Sequence, residues 1–540
     1  SRPPLPPARR RPGRRASVIG RRCGRGSHEP PGGWRVGAEV AEEVMASAVV
    51  ARARPSAASS ELEAARVALS DLDDPASSSG AATPPDGWRS SLAPASARAA
   101  LRGLRLALLR HGYTEAAAVA LLGSSPHAAQ GFWPRLSVPL DSGAAAARLH
   151  VGRVGRGAAV LLGVFLLNAS VPARELEATL GGSRLLAQLA DLGVLWAREP
   201  GAWQAAVQIA PLGPADGAAS AASSSGTTFV AVDWDELRPW HQVMTATVDT
   251  YALVQAQRLT RPGWHPRRVL DLCSGSGAQG LHAAAWFSRL GRTAVTLVDL
   301  NPRAVRFAKA SVLLNGLRRV VLRHGALYEA LHRGAGADEE EPRAGAFDLI
   351  LANPPYVPSL GGGQLFVAGG ATGEAVTERI IRGARHSLAP GGWLMLVANL
   401  ANVHDGYASK LNRWWSGEQG ADDDVSFDIV HGNVWTAREY ASGFIGLDTE
   451  IAQYGRFLRQ AGVDSMTNGF IFARRAEGVG SGCSARVFGV RDLWRELVDI
   501  GSAGHDRAVR RLATAFREDG RRPCGRTPAC PCRRCRCRPP

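Results

Sequence analysis

The 540-residue chain lacks any apolar run long enough to cross a bilayer: its longest strongly apolar stretch, residues 158–167, is about half of the roughly 20 residues that a spanning helix needs. No membrane span is expected. Cysteine is scarce outside one short segment. Five of the eight, Cys524, Cys530, Cys532, Cys535 and Cys537, crowd the last seventeen residues, which leaves Cys23, Cys273 and Cys483 for the rest. Three cysteines cannot build a disulfide framework, so the composition suits a reducing compartment and not secretion. The tail cysteines also lack the paired Cys-x-x-Cys knuckles, separated by a loop, on which structural zinc sites are built, and no metal site is expected. Acidic charge is missing from both ends. Residues 1–38 hold ten Arg against Glu29 alone, and residues 521–540 hold seven Arg and no acid; together they carry the whole formal charge of +16 and leave residues 39–520 near neutral. The basic excess belongs to solvated tails rather than to a folded surface built for polynucleotides.

What is present describes a multidomain globular chain with 45% hydrophobic residues. Four segments are expected: a disordered Arg/Pro/Ala-rich segment at 1–91, a mainly helical region at 92–225, an α/β domain at 226–476, and a low-complexity Arg/Cys-rich tail at 477–540. Residues 1–44 precede the first methionine, Met45. They read either as an organelle transit peptide or as translated leader, so the expected compartment is the cytoplasm, a plastid or a mitochondrion. A monomer is expected.

Residues 99–111 carry Leu101, Leu104, Leu108 and Leu109 on one helical face. Further helices are expected at 158–167, 172–180 and 184–192, then strands at 196–199 and 205–209. That order is winged-helix-like. Such modules bind nucleic acid or pack on a neighbouring domain, and the third helix shows no Arg/Lys stripe. A loop at 213–226 precedes a strand at 227–232.

From residue 267 the pattern alternates strand and helix, which predicts a parallel sheet covered on both faces. Strands are expected at 269–272, 295–299, 320–323, 347–352, 393–400, 426–430 and 469–473. The first runs into Cys273-Ser274-Gly275-Ser276-Gly277-Ala278-Gln279-Gly280 and a helix. This glycine loop says that a ligand approaches backbone closely at a helix N-terminus, and by itself it fits a nicotinamide dinucleotide equally well. Asp299 ends the second strand, where its carboxylate can accept hydrogen bonds from ribose hydroxyls. Asn353-Pro354-Pro355-Tyr356 follows the fourth strand. Ligands of open parallel sheets lie outside the carboxyl ends of the strands, so the tetrad should face the glycine loop. A planar NH2 group is a poor nucleophile that must be aimed. The Asn353 side-chain oxygen and the Pro354 carbonyl can each accept one of its N–H groups, two prolines stiffen the loop, and Tyr356 offers a flat face.

Asp271-Leu272-Cys273-Ser274-Gly275-Ser276-Gly277, Asp299-Leu300-Asn301-Pro302 and Asn353-Pro354-Pro355-Tyr356 resemble the motifs of class I, Rossmann-like methyltransferases over about residues 240–475. The tetrad is similar to that of the N5-glutamine methyltransferases of peptide-chain release factors and equally to that of the N6-adenine methyltransferases. The helical region with residues 435–475 also resembles bacterial small-domain methyltransferases. The resemblance implies a seven-stranded sheet with helices on both faces and S-adenosylmethionine as cofactor. It assigns Asp271, Gly275 and Gly277 to the methionine part, Asp299 and Leu300 to the ribose, Ala326 and Leu327 to the adenine side, and Asn353, Pro354 and Tyr356 to the acceptor nitrogen, with Asn353 also beside the cofactor. The partner it implies is a protein substrate, such as a release factor, or RNA or DNA. The sequence departs from the pattern at Cys273, where many relatives have glycine, at Gly325-Ala326-Leu327, where many have an Asp after the third strand, and at residues 245–251, where the release-factor enzymes have an acid-Thr-Glu stretch. Three acceptors stay open, a protein glutamine, a nucleobase and a small molecule, beside a methyltransferase-like protein that binds without turnover. A nicotinamide oxidoreductase would need a hydride-transfer constellation, and none is seen.

Overall fold

The computed structural model describes residues 95–122, 154–213, 227–234, 242–244, 246–258, 264–332, 346–359, 365–417, 425–444, 447–477 and 484–490. The expected N-terminal disorder, the loop at 214–226 and the Cys-rich end lie outside these residues.

The first helix, α1 (Ala95–Arg110), buries Ala97, Ala100, Leu101, Leu104, Ala107 and Leu108, a stripe at the three-to-four spacing of one helix face. Thr114 caps α2 (Glu115–Leu122) by accepting the Ala117 N–H at 3.1 Å. Then follow α3 (Arg156–Leu166), β1 (Val171–Pro172), α4 (Ala173–Leu180), α5 (Ser183–Asp191), β2 (Leu195–Glu199) and β3 (Ala202–Ala205). β3 lies between β1 and β2, antiparallel to both, which is the winged-helix order. The strand expected at 205–209 is two strands in two sheets. Ala206 donates its N–H to Val194 O at 3.0 Å, and the chain then restarts as β4 (Gln208–Leu212), antiparallel to β5 (Thr228–Val232). The whole stretch is buried, so hydrophobicity alone carries no mark of the change of sheet.

The second half runs α6 (Val248–Arg258), β6 (Arg268–Leu272), α7 (Ala278–Phe287), β7 (Ala294–Asp299), α8 (Pro302–Asn315), β8 (Val320–His324), a 3-10 turn at Leu327–Leu331, β9 (Phe347–Ala352), α9 (Ala375–Ser387), β10 (Leu388–Ala401), α10 (Tyr407–Ser416), β11 (Val425–His431), β12 (Trp435–Thr436), α11 (Ala437–Phe444), α12 (Asp448–Gln460), β13 (Ser465–Arg475) and β14 (Ser484–Gly489). The sheet order is β14-β11-β13-β10-β9-β6-β7-β8, with β12 on the end of β13. β8, β7, β6, β9 and β10 pair in parallel, and β13 runs against both of its neighbours. The α/β class is the one expected, but the sheet is mixed and has nine strands: β12 and β14 add to the seven expected, and β13 is antiparallel. Val269 packs into the core on one face, Leu270 and Leu272 into that on the other. Burial on both faces explains why these strands read as continuous apolar runs.

Residues 484–489, expected within the low-complexity tail, form an edge strand instead. β14 runs parallel to β11, and Arg486 grips Asp428 with two hydrogen bonds of 2.6 and 2.7 Å. The Arg- and Cys-rich character sits further along, in the last twenty residues.

The two halves share one core. Ala304, Phe307, Ala310 and Leu314 of α8 belong to the same apolar cluster as Leu101, Leu104, Phe165 and Phe229. β5 has a strand partner on one side only, and α8 satisfies the other. The Asn315 amide accepts Phe229 N–H (2.9 Å) and donates to Phe229 O (2.6 Å), while Ser311 Oγ accepts Ala231 N–H (3.0 Å). Buried Asp233 and Arg303 add a two-pronged ion pair at 2.9 and 2.5 Å. The boundary expected between 225 and 226 falls between β4 and β5, which pair with each other. Among the described residues no helix is long and apolar enough to cross a membrane, and no cluster of His, Cys, Asp or Glu is arranged to hold a metal.

Candidate active site

The glycine loop divides into two jobs. Gly275 has φ 54° and open space where a Cβ would stand. A Cβ on Gly277 (φ 86°) would lie 2.9 Å from Leu297 Cδ1, and one on Gly280 would lie 2.9 Å from Asp271 Oδ2. Only Gly275 therefore leaves open room; Gly277 and Gly280 let α7 pack closely on β6 and β7. Cys273 also takes a positive φ, 53°, in the left-handed region that favours glycine. Burial pushes its thiol up, so it stays protonated.

Asp271 is fully buried at the end of β6. Its Oδ2 accepts Gly280 N–H at 2.8 Å, and its Oδ1 has no partner. Burial pushes the carboxyl up to about 8, the Gly280 bond opposes this, and the charge of Asp299 adds to it. A buried acid with an orphaned oxygen calls for a cation.

Asp299 is more committed than its sequence position suggested. Its Oδ2 accepts Gly275 N–H at 2.7 Å and its Oδ1 accepts Asn301 N–H at 2.8 Å. Burial raises its pKa and these two bonds pull it back. One lone pair on each oxygen remains for hydroxyl donors. Asn301 in turn caps α8 by accepting Arg303 N–H at 2.9 Å. Leu300 O accepts from His324 Nε2 at 2.9 Å, and Gly325 N–H reaches Asp299 O at 2.9 Å, so the ends of β7 and β8 are tied together. Ala326 is half-buried there, and Leu327 is buried with φ 40°.

Strand register sets the tetrad beside the loop. Leu272 pairs with Val298 on one side and Ala352 on the other, so Cys273, Asp299 and Asn353 each stand one residue beyond a paired position, at the carboxyl ends of three adjacent strands. Asn353 is half-buried, and its side-chain amide has no hydrogen-bond partner among the described residues. Pro354 is buried. Tyr356 is held at both ends: its hydroxyl donates to the Asp249 carboxylate from α6, and its carbonyl accepts from Asn399 Nδ2 at 3.2 Å. Asn399 also donates to Tyr440 Oη at 2.6 Å and accepts from Asn468, its cross-strand partner on β13. Beyond the tetrad, Val357 N–H donates to Val367 O (2.9 Å), Gly369 N–H to Val357 O (2.8 Å) and the Tyr454 hydroxyl to Pro358 O (2.7 Å). Gly369 lies so close that a Cβ on it would stand 2.7 Å from Tyr356 Cα.

The sequence reading missed Asp249, Asn399, Tyr440, Asn468 and Gly369. A fully apolar strand interrupted by Asn399 was the available signal, because a buried amide needs partners. Asp249 fell in the stretch noted only as a departure. Burial pushes its carboxyl up to about 6 against the Tyr356 bond, and the Tyr356 phenol is raised by burial and then by the charge of Asp249.

Residues 244–431 match the family model described as Methyltransferase small domain. A ribosomal protein uL3 glutamine methyltransferase from Burkholderia pseudomallei is 36% identical over 176 residues, covering 30% of this chain and 54% of that protein. A release factor glutamine methyltransferase from Xylella fastidiosa is 34% identical over 140 residues, covering 24% and 46%. The chain thus spans about half the length of these relatives. Among solved structures, a precorrin-6y C5,15-methyltransferase from Geobacter metallireducens is similar at 15% identity over 46% of this chain and 98% of that one, with a TM-score of 0.25.

Proposed function

We propose that this protein is an S-adenosylmethionine-dependent N-methyltransferase whose acceptor is the side-chain amide of a protein glutamine. The observation that carries the reading is the Asn353 amide: partnerless among the described residues, on a loop held at Tyr356, Val357 and Pro358, one residue past the strand that pairs with β6.

The pocket's chemistry suits this cofactor better than a dinucleotide. Asp271 occupies the start of α7 through its bond to Gly280, so a pyrophosphate dianion there would meet a carboxylate, whereas the ammonium of a methionine group would meet the orphaned Oδ1. Asp299 would take the ribose hydroxyls on its remaining lone pairs, beside Leu300, with Ala326 and Leu327 flanking the base. When bound, the cofactor supplies an electrophilic methyl group on a sulfonium.

The protein's work is then orientation. Asn353 Oδ1 and the Pro354 carbonyl accept the two N–H groups of the acceptor, which fixes the orientation of the amide plane and so the direction of the nitrogen lone pair, which stands perpendicular to it. Such alignment supplies on the order of 7 to 11 kcal/mol without a charged base. Tyr356 walls the acceptor's flat face. A glutamine fits the near-neutral charge outside the tails, because polynucleotide affinity leans on phosphate neutralisation. The similarity to glutamine methyltransferases points the same way.

Incubation of the full chain with methyl-labelled cofactor and, separately, ribosomal protein uL3, a release factor and total RNA tests this. Label on a protein glutamine is expected. Label on RNA alone would replace the acceptor with a nucleobase, and cofactor binding with no transfer to any of the three would leave a small-molecule acceptor or a non-catalytic binder in its place.

A further inference from the structure

Within the tetrad, the side chain of Tyr356 is held and that of Asn353 is not. A tyrosine ring has two free torsions, and the bond from Asn399 to its carbonyl fixes only the backbone. The ring's orientation depends on what holds the hydroxyl, and that is Asp249, 107 residues earlier in the chain. The choice of an acid there runs against simple packing. Asp249 is 5% exposed, and the α6 residues beside it, Tyr251, Ala252 and Leu253, bury apolar surface. A carboxylate in that company costs several kcal/mol to desolvate, whereas an apolar residue would not. What it gains is a charge-assisted bond, shorter and about twice as strong as a neutral one, directed at one atom of the acceptor loop.

We propose that Asp249 is a positioning residue of the acceptor site: from the first turn of α6 its carboxylate fixes the Tyr356 ring as the wall against which the planar acceptor group lies. The inference rests on the methyltransferase reading for its meaning, though the Asp249–Tyr356 link can be measured without turnover. In this assignment Asp249 makes no contact of its own with cofactor or acceptor. It acts through the phenol, so removing the hydroxyl should make the acid irrelevant.

That gives a double-mutant cycle. D249A and Y356F should each lower kcat for a glutamine substrate by about tenfold, and the double variant should be no slower than either. D249N, which keeps an oxygen acceptor, should restore most of the rate. S-adenosylhomocysteine affinity, measured by calorimetry, should be unchanged throughout, which reports that each variant is folded. If D249A does not bind it, D249L, Y356F and D249L/Y356F complete the cycle. Losses that multiply in the double variant, or a parent rate in D249A, would overturn the proposal. Independently, the Tyr356 Cζ resonance in protein carrying 13C-tyrosine, assigned by its loss in Y356F, should shift in D249N. An unshifted resonance also overturns the link. If the parent methylates no glutamine substrate, it is the functional reading that fails, and the resonance alone decides the contact.

Discussion

Replacing Asp271 by Asn changes one atom at the centre of the proposed cofactor site, and the size of the effect should depend on pH. Asn keeps an oxygen for Gly280 N–H and places an amide where the orphaned Oδ1 stands. In the free protein the Asp271 carboxyl is pushed up from 3.8 to about 8, so between those values the folded chain holds a proton that the unfolded chain releases. The sign follows: this group's contribution to stability falls as pH rises through that window. D271N should lack that dependence and be at least as stable as the parent at pH 8. Binding reverses the preference. The contact of a carboxylate with the cofactor's ammonium contributes about 1.5 to 3 kcal/mol. At pH 7 the parent must first lose the proton, which costs ~1.4 kcal/mol for a pKa one unit higher. The net deficit of D271N at pH 7 is therefore only up to ~1.6 kcal/mol, and it should widen as pH rises toward 8.5, while the ligand's amine still carries its proton, with the full ~1.5 to 3 kcal/mol, roughly 12- to 160-fold in affinity, as its ceiling. Calorimetry with S-adenosylhomocysteine between pH 6 and 8.5, in buffers of different ionisation enthalpy, reads both quantities. The parent should release a proton on binding at pH 7, and D271N should release none through this group. An affinity ratio that stays constant across the range, or identical proton release in the two proteins, would refute the assignment of Asp271.

Two other substitutions separate chemistry from scaffold. Asn353→Ala removes an amide that has no protein partner among the described residues, so stability should change by no more than ~0.5 kcal/mol and cofactor affinity should hold, while methyl transfer slows at least about tenfold; equal rates would remove Asn353 from the site. Asp233→Ala leaves the Arg303 guanidinium buried without its carboxylate, and urea unfolding should show a loss of about 3 to 5 kcal/mol. An unchanged midpoint would mean that water or a neighbour replaces the pair.

Local patterns carried the parallel strands and the motifs at their ends, because both are written within a few residues. Strands buried on two faces are short apolar runs, and the residues that follow them at Cys273, Asp299 and Asn353 inherit their positions from register alone. What stayed hidden was long-range. The bond from Asp249 to Tyr356 leaves no periodicity in either segment, and the exchange of sheets after Ala205 occurs inside uniformly buried sequence. β14 is short and exposed along one edge, with its strongest tie, Arg486 to Asp428, 58 residues away. The glycines carry more than the close ligand approach read from their motif: Gly277 and Gly280 also make room for Leu297 and Asp271.

The helix that begins at Asn301, two residues past Asp299, has an opposite flank that is the floor of the N-terminal apolar cluster. Cutting the chain at residue 226 would therefore not liberate a self-sufficient catalytic cassette. It would bare Phe307 and Leu314 to solvent, strip β5 of its strand partner, and loosen the same rod whose capping residue is tied to the Asp299 carboxylate.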